Sequence, residues 1–185
     1  MTTGGQAATE AVQAHSAESH APAPPCTMVI FGGAGDLTKR KLVPALYNLA
    51  ASGLLGEAFA VVAIARGEMT HEDYRQRIAA DLTEFATGPI DPSIWKRLEK
   101  LFYYVQGDFA DAGTYTQLKA QLADVDSKHS TKGNYLFYLA TAPEYFADIV
   151  CQLARAELMR EEGGSWRRVV TVSYTHLTLP TILRV

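Results

Sequence analysis

The chain has 185 residues, of which 48% are hydrophobic and 20% are charged, and its formal net charge is −3. This length and composition allow one hydrophobic core of ordinary size. The negative charge argues against nucleic-acid binding through bulk electrostatics, and no apolar run approaches the roughly 20 residues that cross a bilayer. We therefore expect neither nucleic acid nor a membrane as a partner, and a cytoplasmic location.

Residues 1–26 are predicted to form a disordered tail. They are rich in Ala, Gly, Ser, Pro, Gln and His, and they lack the basic start and apolar segment of a signal peptide. The two cysteines, Cys26 and Cys151, are far apart in sequence. Without an export signal, both are predicted to be free, buried thiols.

The most informative segment begins with a short apolar run, residues 28–31, followed by Gly32, Gly33 and Gly35. A helix-favouring segment with three basic residues comes next. This order predicts a strand, a tight turn and a helix N-terminus, where backbone N–H groups and the helix dipole favour an anion. Glycines let the backbone approach a phosphate closely because they carry no Cβ atom. The segment therefore predicts a nucleotide-phosphate site.

The rest of the chain alternates between helical and strand-like patterns. Further strands are predicted at residues 58–65, 101–106, 134–140 and 166–172. Helices are predicted at residues 38–51, 70–85, 111–123 and 144–160, with one more opening at Asp91-Pro92. Pro44 should kink the first helix or confine its first turn to the residues before it, and Thr70 with Asp73 should cap the second. Alternation of this kind predicts an α/β fold: a Rossmann-like, doubly wound parallel sheet, incomplete at its C-terminus.

The glycine turn alone leaves two interpretations open. The dinucleotide fingerprint has glycine at three places, whereas here the third place holds Thr38. A tight turn without any ligand is therefore the alternative. The phosphate loop of nucleotide hydrolases is excluded because no Gly-Lys-Ser/Thr follows at the required distance.

The residue after the second strand favours a dinucleotide and selects its type. In a dinucleotide fold this position meets the adenosine ribose: an acid selects the 2′-hydroxyl and an arginine accommodates a 2′-phosphate. Here it is Arg66, whereas the rival acid, Glu57, precedes the strand and lies at the wrong end of the sheet. A solvated surface arginine is the alternative. Beside the glycine turn, Arg66 predicts NADP as the cofactor.

Four segments together resemble one known family. Phe31-Gly-Gly-Ala-Gly-Asp-Leu-Thr-Lys-Arg-Lys-Leu42 is similar to the glycine-Asp-Leu loop of the glucose-6-phosphate dehydrogenases. The order and spacing of three later segments agree: Ala63-Ile-Ala-Arg66, Tyr104-Val-Gln-Gly-Asp-Phe109 and Asn134-Tyr-Leu-Phe-Tyr-Leu-Ala-Thr-Ala-Pro143. The resemblance covers residues 27–170. It implies an NADP-dependent oxidation of glucose 6-phosphate to 6-phosphogluconolactone, in the oxidative pentose phosphate pathway, by an enzyme that is usually a homo-oligomer.

The resemblance also implies which residues hold the cofactor. The pyrophosphate would lie on the glycine loop, the 2′-phosphate on Arg66, the adenine beside the end of the third strand, and the nicotinamide beside the end of the fourth. Many members have a hydroxyl residue where this chain has Ala34, so one side-chain contact is absent while the backbone contacts survive. The implied cofactor-binding residues are Gly32, Gly33, Ala34, Gly35, Asp36, Leu37, Arg66, Asp108, Phe109, Leu139, Ala140 and Pro143.

No catalytic or metal-binding residue is predicted in this chain. In the family, the strand ending here at Val170 continues into Glu-Lys-Pro-Phe-Gly, and an Asp-His-Tyr-Leu-Gly-Lys-Glu segment and a general-base histidine follow; none is present. Oxidation of the sugar requires a base for the hydroxyl proton. The five histidines supply none at a matching position: His15, His20, His71, His129 and His176. The chain is therefore expected to be inactive as a dehydrogenase.

The last segment differs from the family. Residues 172–181 resemble the conceptual translation of a transposon-based sequencing adapter, so residues 171–185 are predicted to be a non-native tail behind an NADP-binding domain of residues 27–170. The alternative is a complete, non-catalytic NADP-sensing module in which these residues form a real element. A short-chain reductase needs Tyr-x-x-x-Lys on a helix and is not favoured at Tyr135 or Tyr138, because Leu139 and Ala142 stand in the place of the lysine.

Overall fold

The structure is a computed structural model that describes residues 21–172. Its centre is a five-stranded parallel sheet with the strand order β3-β2-β1-β4-β5. This confirms the predicted α/β fold with a doubly wound sheet. The strands are β1 Cys26–Phe31, β2 Phe59–Ala65, β3 Phe102–Gln106, β4 Tyr135–Leu139 and β5 Arg167–Thr171.

Helices cover both faces of the sheet. The first three are α1 Val43–Ala51, preceded by a π-helical segment Thr38–Leu42, α2 His71–Phe85 and α3 Pro92–Leu98; the last two are α4 Ala112–His129 and α5 Phe146–Arg155. Short 3₁₀ turns lie at Glu99–Leu101 and Pro143–Tyr145. Within residues 21–172, no helix combines the length and hydropathy of a membrane span.

Alternate residues of the central strand enter two separate cores. Met28 and Ile30 pack with α1, α2 and α3, whereas Val29 and Phe31 pack with α4 and α5. All six residues of β1 are buried, which is the pattern of a parallel strand covered on both faces. The chain changes direction between β1 and β4, and ligands of open α/β sheets bind at such a switch point.

Several predicted helix ends are confirmed at the level of individual hydrogen bonds. The Asp73 N–H donates to Thr70 Oγ1 over 3.1 Å, and the Thr70 N–H donates to Asp73 Oδ2 over 2.9 Å, which completes a capping box at the start of α2. The hydrogen bond from the Thr70 side chain lowers the pKa of Asp73. Asp91 caps α3, where Pro92 occupies the first turn.

Three predicted helices have different bounds, of which α4 runs to His129, six residues beyond the predicted end at Ala123. Before α1, the Val43 N–H donates to the Thr38 carbonyl in a π turn, which accommodates Pro44 because proline has no N–H to donate. The helix predicted at 144–160 is shorter: a 3₁₀ turn precedes α5, and the helix ends at Arg155 because Glu157 takes a left-handed conformation with φ of 61°.

The two cysteines are free, as predicted, but only one of them is buried. Cys26 is 6% exposed in β1, whereas Cys151 is exposed on α5. The prediction of burial was therefore wrong for Cys151, because the α5 core is formed by its neighbours Ile149 and Leu153 on the other face of the helix. The division into residues 1–26, 27–170 and 171–185 stays a prediction; residues 1–20 and 173–185 lie outside the described residues.

The outer edge of β3 is occupied by side chains of α2. Arg75 Nε donates to the Phe102 carbonyl over 3.0 Å, and the Tyr104 N–H donates to His71 Nδ1 over 3.0 Å. These bonds satisfy backbone groups that a neighbouring strand would otherwise pair, and they protect the edge from association with another chain. Burial, together with the positive charges of Arg75 and Lys128, lowers the pKa of His71.

Replacing His71 by Asn should weaken the acid sensitivity of the fold. As pH falls through about 6.5, the unfolded imidazole binds a proton that the folded one resists, so the free energy of unfolding decreases. In His71→Asn, the amide oxygen can still accept the Tyr104 N–H but does not titrate. We expect urea unfolding to show a smaller loss of stability between pH 7.5 and 5 in the variant. An NMR titration that places the pKa of His71 above 6.5 in the folded protein would contradict this.

Candidate cofactor site

The carboxyl ends of β1, β2 and β4 meet around the glycine loop, residues 32–37. Gly32 follows β1 with a φ of +86°, and a Cβ atom on it would lie 2.4 Å from the Ala140 carbonyl oxygen after β4. Only glycine fits both requirements, because a side chain would be strained at this φ and would collide with backbone. The loop therefore crosses directly over the end of β4 at the switch point of the sheet.

Gly33 brings the loop equally close to β2. A Cβ atom on this buried glycine would lie 2.4 Å from Ala63 Cβ. The N–H groups of Gly32 and Gly33 both donate to the Ile64 carbonyl over 3.0 Å. The loop is thus packed onto two strands, and its position follows from the absence of side chains at these two residues.

Three consecutive loop carbonyls accept hydrogen bonds from the protein. The Gly32 carbonyl accepts from the Gly35 N–H at 2.9 Å and from Thr38 Oγ1 at 3.0 Å. The Gly33 carbonyl accepts from the buried Tyr74 hydroxyl at 2.8 Å, and the Ala34 carbonyl from Arg77 Nη2 at 3.0 Å. Thr38, which occupies the third place of the fingerprint, therefore has a structural role in closing the loop.

The helical segment after the loop carries its own charge pairs. Asp36 Oδ1 accepts from Arg40 Nε at 2.9 Å and lies 3.3 Å from Lys39 Nζ. The hydrogen bond from Arg40 lowers the pKa of the Asp36 carboxyl, so this group is ionised at neutral pH. Its charge is balanced by the two basic residues, and the loop is not left negative where an anion would bind.

Arg66 lies directly after β2 and reaches towards two neighbouring connections. Its Nε atom is 3.2 Å from Asp108 Oδ2, and its Nη2 atom donates to the Tyr145 hydroxyl over 3.3 Å. The side chain is 61% exposed, so the guanidinium is held in position but remains accessible. An exposed pair of this kind is weak and can be rearranged by a stronger anion.

Beside Arg66 is an open cleft of about 300 Å³ between the end of β3 and the start of α4. Asp108 forms part of its wall, and Asp108 Oδ1 also accepts the Ala110 N–H at 2.9 Å. The wall is otherwise polar, with few apolar side chains. The lining residues are Arg66, Gln106, Gly107, Asp108, Asp111, Thr114 and Gln117.

The remaining predicted site residues divide into buried and exposed positions. Phe109 is 7% exposed and packs edge-on against Phe31 and Tyr145, with ring centroids 5.8 and 5.7 Å apart. Leu139 is fully buried at the end of β4. Pro143 is exposed on the turn after β4, whereas Ala140 lies against the loop, where its N–H donates to the Phe31 carbonyl over 2.9 Å.

Sequence reasoning missed three residues that support the site: Arg77, which bonds to the Ala34 carbonyl, and the tyrosines Tyr74 and Tyr104. Tyr74 and Tyr104 pack with their rings 5.2 Å apart, and the Tyr104 hydroxyl bonds to the carbonyls of Ala65 and Gly67, on both sides of Arg66. Burial raises the pKa of both tyrosines, so each hydroxyl keeps its proton as a donor. Tyr74 occupies an apolar helical position with Ile78 and Leu82, where it is expected to pack in the core, and nothing in that pattern indicates a contact with the loop.

Neither of the two described histidines lies beside the glycine loop or Arg66. His71 accepts the Tyr104 N–H, and His129 shares a 2.7 Å hydrogen bond with the Tyr103 hydroxyl, so both are at β3 and its outer edge. Within residues 21–172, no group of three or more His, Cys, Asp or Glu side chains is arranged to hold a metal ion. His15, His20 and His176 lie outside the described residues.

Comparison with known proteins agrees with the resemblance seen in the sequence. The family described as "Glucose-6-phosphate dehydrogenase, NAD binding domain" matches residues 29–172. The glucose-6-phosphate 1-dehydrogenase of Chlamydia muridarum is 44% identical over 151 residues, covering 80% of this chain and 30% of the relative. That of Bacillus subtilis is 35% identical over 151 residues, covering 80% of this chain and 29% of the relative.

Solved structures give the same result. A glucose-6-phosphate dehydrogenase in complex with glucose 6-phosphate superposes with a TM-score of 0.69 at 26% identity, covering 83% of this chain and 31% of that one. The enzyme from Mycobacterium avium gives a TM-score of 0.67 at 27% identity, covering 80% of this chain and 29% of that one. The chain thus spans about 30% of the length of its relatives. It belongs to the glucose-6-phosphate dehydrogenase family, of which it contains the dinucleotide-binding domain.

Proposed function

We propose that this chain is the NADP-binding part of a glucose-6-phosphate 1-dehydrogenase. The parent enzyme would oxidise glucose 6-phosphate to 6-phosphogluconolactone, with NADP+ as the hydride acceptor. The observation that carries the choice of cofactor is Arg66, which lies at the end of β2 with an accessible guanidinium beside the glycine loop. An arginine at this position accommodates a 2′-phosphate, whereas an acid would select the 2′-hydroxyl.

The residues present fit a dinucleotide. Side chains at Gly32 and Gly33 would fill the space in which the loop approaches β4 and β2, and the Ala34 N–H has no acceptor within residues 21–172. An unpaired N–H beside a helix N-terminus is suited to a phosphate oxygen. In this proposal, Gly32 to Leu37 hold the pyrophosphate, Arg66 the 2′-phosphate, Asp108 and Phe109 border the adenine, and Leu139, Ala140 and Pro143 lie near the nicotinamide.

Other properties follow from membership of the family. The longer relatives are glucose-6-phosphate 1-dehydrogenases, and one has been solved with its substrate glucose 6-phosphate, so we extend this substrate to the parent of this chain. The homo-oligomeric assembly usual in the family and a cytoplasmic location belong to the same proposal. The sensor alternative depends on residues 171–185, of which residues 173–185 are outside the described part, and no observation favours it.

Replacing Arg66 by Ala should weaken NADP+ binding much more than NAD+ binding. A charged hydrogen bond to phosphate corresponds to a loss of about 10- to 100-fold, and only NADP+ carries the 2′-phosphate. We expect NAD+ affinity to change by no more than about twofold, since the proposal assigns Arg66 to the 2′-phosphate alone. Isothermal titration calorimetry measures both. Arg160→Ala is the matched control, because Arg160 is also exposed and paired with carboxylates. Equal losses for the two cofactors would refute the role of Arg66.

A methyl group at Gly33 should disrupt the loop, whereas one at Gly88 should not. The Cβ atom of Gly33→Ala would collide with Ala63 at 2.4 Å, while the space around Gly88 is open within 4 Å. Overpacking of this kind costs about 1–3 kcal/mol. We expect Gly33→Ala to lower the free energy of urea unfolding by this amount and to abolish cofactor binding, with Gly88→Ala unchanged. Wild-type affinity in Gly33→Ala would contradict the close packing of the loop.

The chain itself should not reduce NADP+ with glucose 6-phosphate. His71 and His129, the two histidines among the described residues, are engaged at β3, so neither is placed as a base at the glycine loop. The measurement is NADPH absorbance at 340 nm with purified chain, NADP+ and glucose 6-phosphate. Turnover that scales with protein concentration and persists after a further chromatographic step would refute this expectation.

A further inference from the structure

We propose that Tyr74 is a positioning residue for the cofactor: its hydroxyl fixes the Gly33 carbonyl and thereby directs the Ala34 N–H at a phosphate of the dinucleotide. This proposal rests on the proposed function, because it names the residue that orients one donor of the same site. Tyr74 lies outside the loop, on the first turn of α2, and is fully buried.

The peptide between Gly33 and Ala34 is held in one orientation by Tyr74. The described residues contain no cis peptide bond, so this planar group has its C=O and N–H pointing in opposite directions. Tyr74 donates to the carbonyl over 2.8 Å from beneath the loop. The Ala34 N–H is therefore turned away from α2, towards the outer side of the loop.

The neighbouring peptides of the loop are also held by hydrogen bonds and cannot rotate to compensate. The Gly32 carbonyl is held by the Gly35 N–H and by Thr38 Oγ1, and the Ala34 carbonyl by Arg77. The N–H groups of Gly32 and Gly33 are both bonded to Ile64. Of the amides from Gly32 to Gly35, only that of Ala34 has no acceptor within residues 21–172.

The hydrogen bond from Tyr74 also makes the Ala34 N–H a stronger and better-oriented donor. A hydrogen bond accepted by a peptide carbonyl polarises the N–H of the same peptide and strengthens it as a donor. The Tyr74 hydroxyl is buried, and its ring is packed against Tyr104 with centroids 5.2 Å apart, so its direction is fixed before any ligand arrives. Such a donor gains affinity because little ordering is left for the binding step.

NADP+ carries anionic phosphate oxygens at two places, the pyrophosphate bridge and the 2′-phosphate, and either could accept the Ala34 N–H. The test uses three ligands that separate them. NAD+ carries only the pyrophosphate, adenosine 2′-phosphate carries only the 2′-phosphate, and NADP+ carries both. Affinities are measured by isothermal titration calorimetry on the whole chain.

Tyr74→Phe removes the hydroxyl and keeps the ring. We expect about tenfold weaker binding of NADP+ and of either NAD+ or adenosine 2′-phosphate, with the affinity for the other of these two ligands unchanged. A loss shared with NAD+ places the Ala34 N–H on the pyrophosphate, and a loss shared with adenosine 2′-phosphate places it on the 2′-phosphate. Wild-type affinity for all three ligands, or an equal loss for all three, would overturn the proposal.

Tyr47→Phe is the matched control. Tyr47 is also buried in the same core, and its hydroxyl accepts one backbone N–H, that of Asp91, at 2.7 Å, before α3. We expect a comparable loss of stability and unchanged affinity for all three ligands. Weaker binding in this variant, equal to that of Tyr74→Phe, would show that general destabilisation explains the effect and would overturn the proposal.

A second measurement does not depend on the folding of any variant. In ¹H–¹⁵N spectra of the wild-type chain, the Ala34 amide proton should move downfield on saturation with NADP+, as expected for a new hydrogen bond to a charged oxygen. An Ala34 amide that keeps its position while NADP+ binds would overturn the proposal. Failure of the wild-type chain to bind any of the three ligands would instead refute the proposed function, and this inference with it.

Discussion

The structure around the cofactor site depends on how closely the backbone after β1 approaches its two neighbouring strands. At Gly32 and Gly33 there is no room for even one methyl group, because the Ala140 carbonyl and Ala63 Cβ occupy that space. This contact determines where the chain leaves the sheet and where the following helix starts. The helix N-terminus therefore faces the crevice between β1 and β4, where the sheet reverses its winding order.

The second framework of the site comes from α2 and β3, which contain none of the predicted cofactor-binding residues. Tyr74 and Tyr104 lie side by side beneath the strand ends, one bonded to the glycine loop and the other to the carbonyls on either side of Arg66. The two parts of the site that differ most in chemistry, a neutral backbone cradle and a cationic side chain, are thus supported by one buried aromatic pair. Preorganisation of this kind keeps polar groups in place without using the exposed residues that contact a ligand.

Much of the fold could be predicted because its signals are local. The continuous apolar run of β2, the Thr70–Asp73 capping box and the glycine cluster each act within a few residues, and the structure has all three. The predictions that differ depended on tertiary packing: the π turn before Pro44, the late end of α4, the early end of α5 and the exposure of Cys151. The contacts of Tyr74 and Arg77 span 41 and 43 residues, so no periodicity could reveal them.

The two edge strands of the sheet, β3 and β5, are covered to different extents. At β3, His71 and Arg75 occupy the outward backbone groups, whereas at β5 the residues Val169 and Val170 are each 37% exposed. Among the described residues, β5 pairs only with β4. A sheet closed on one side and open on the other can be extended only from the open side. Any polypeptide that continues this sheet must therefore add beyond β5, on the side of the β1–β4 crevice that is remote from Arg66.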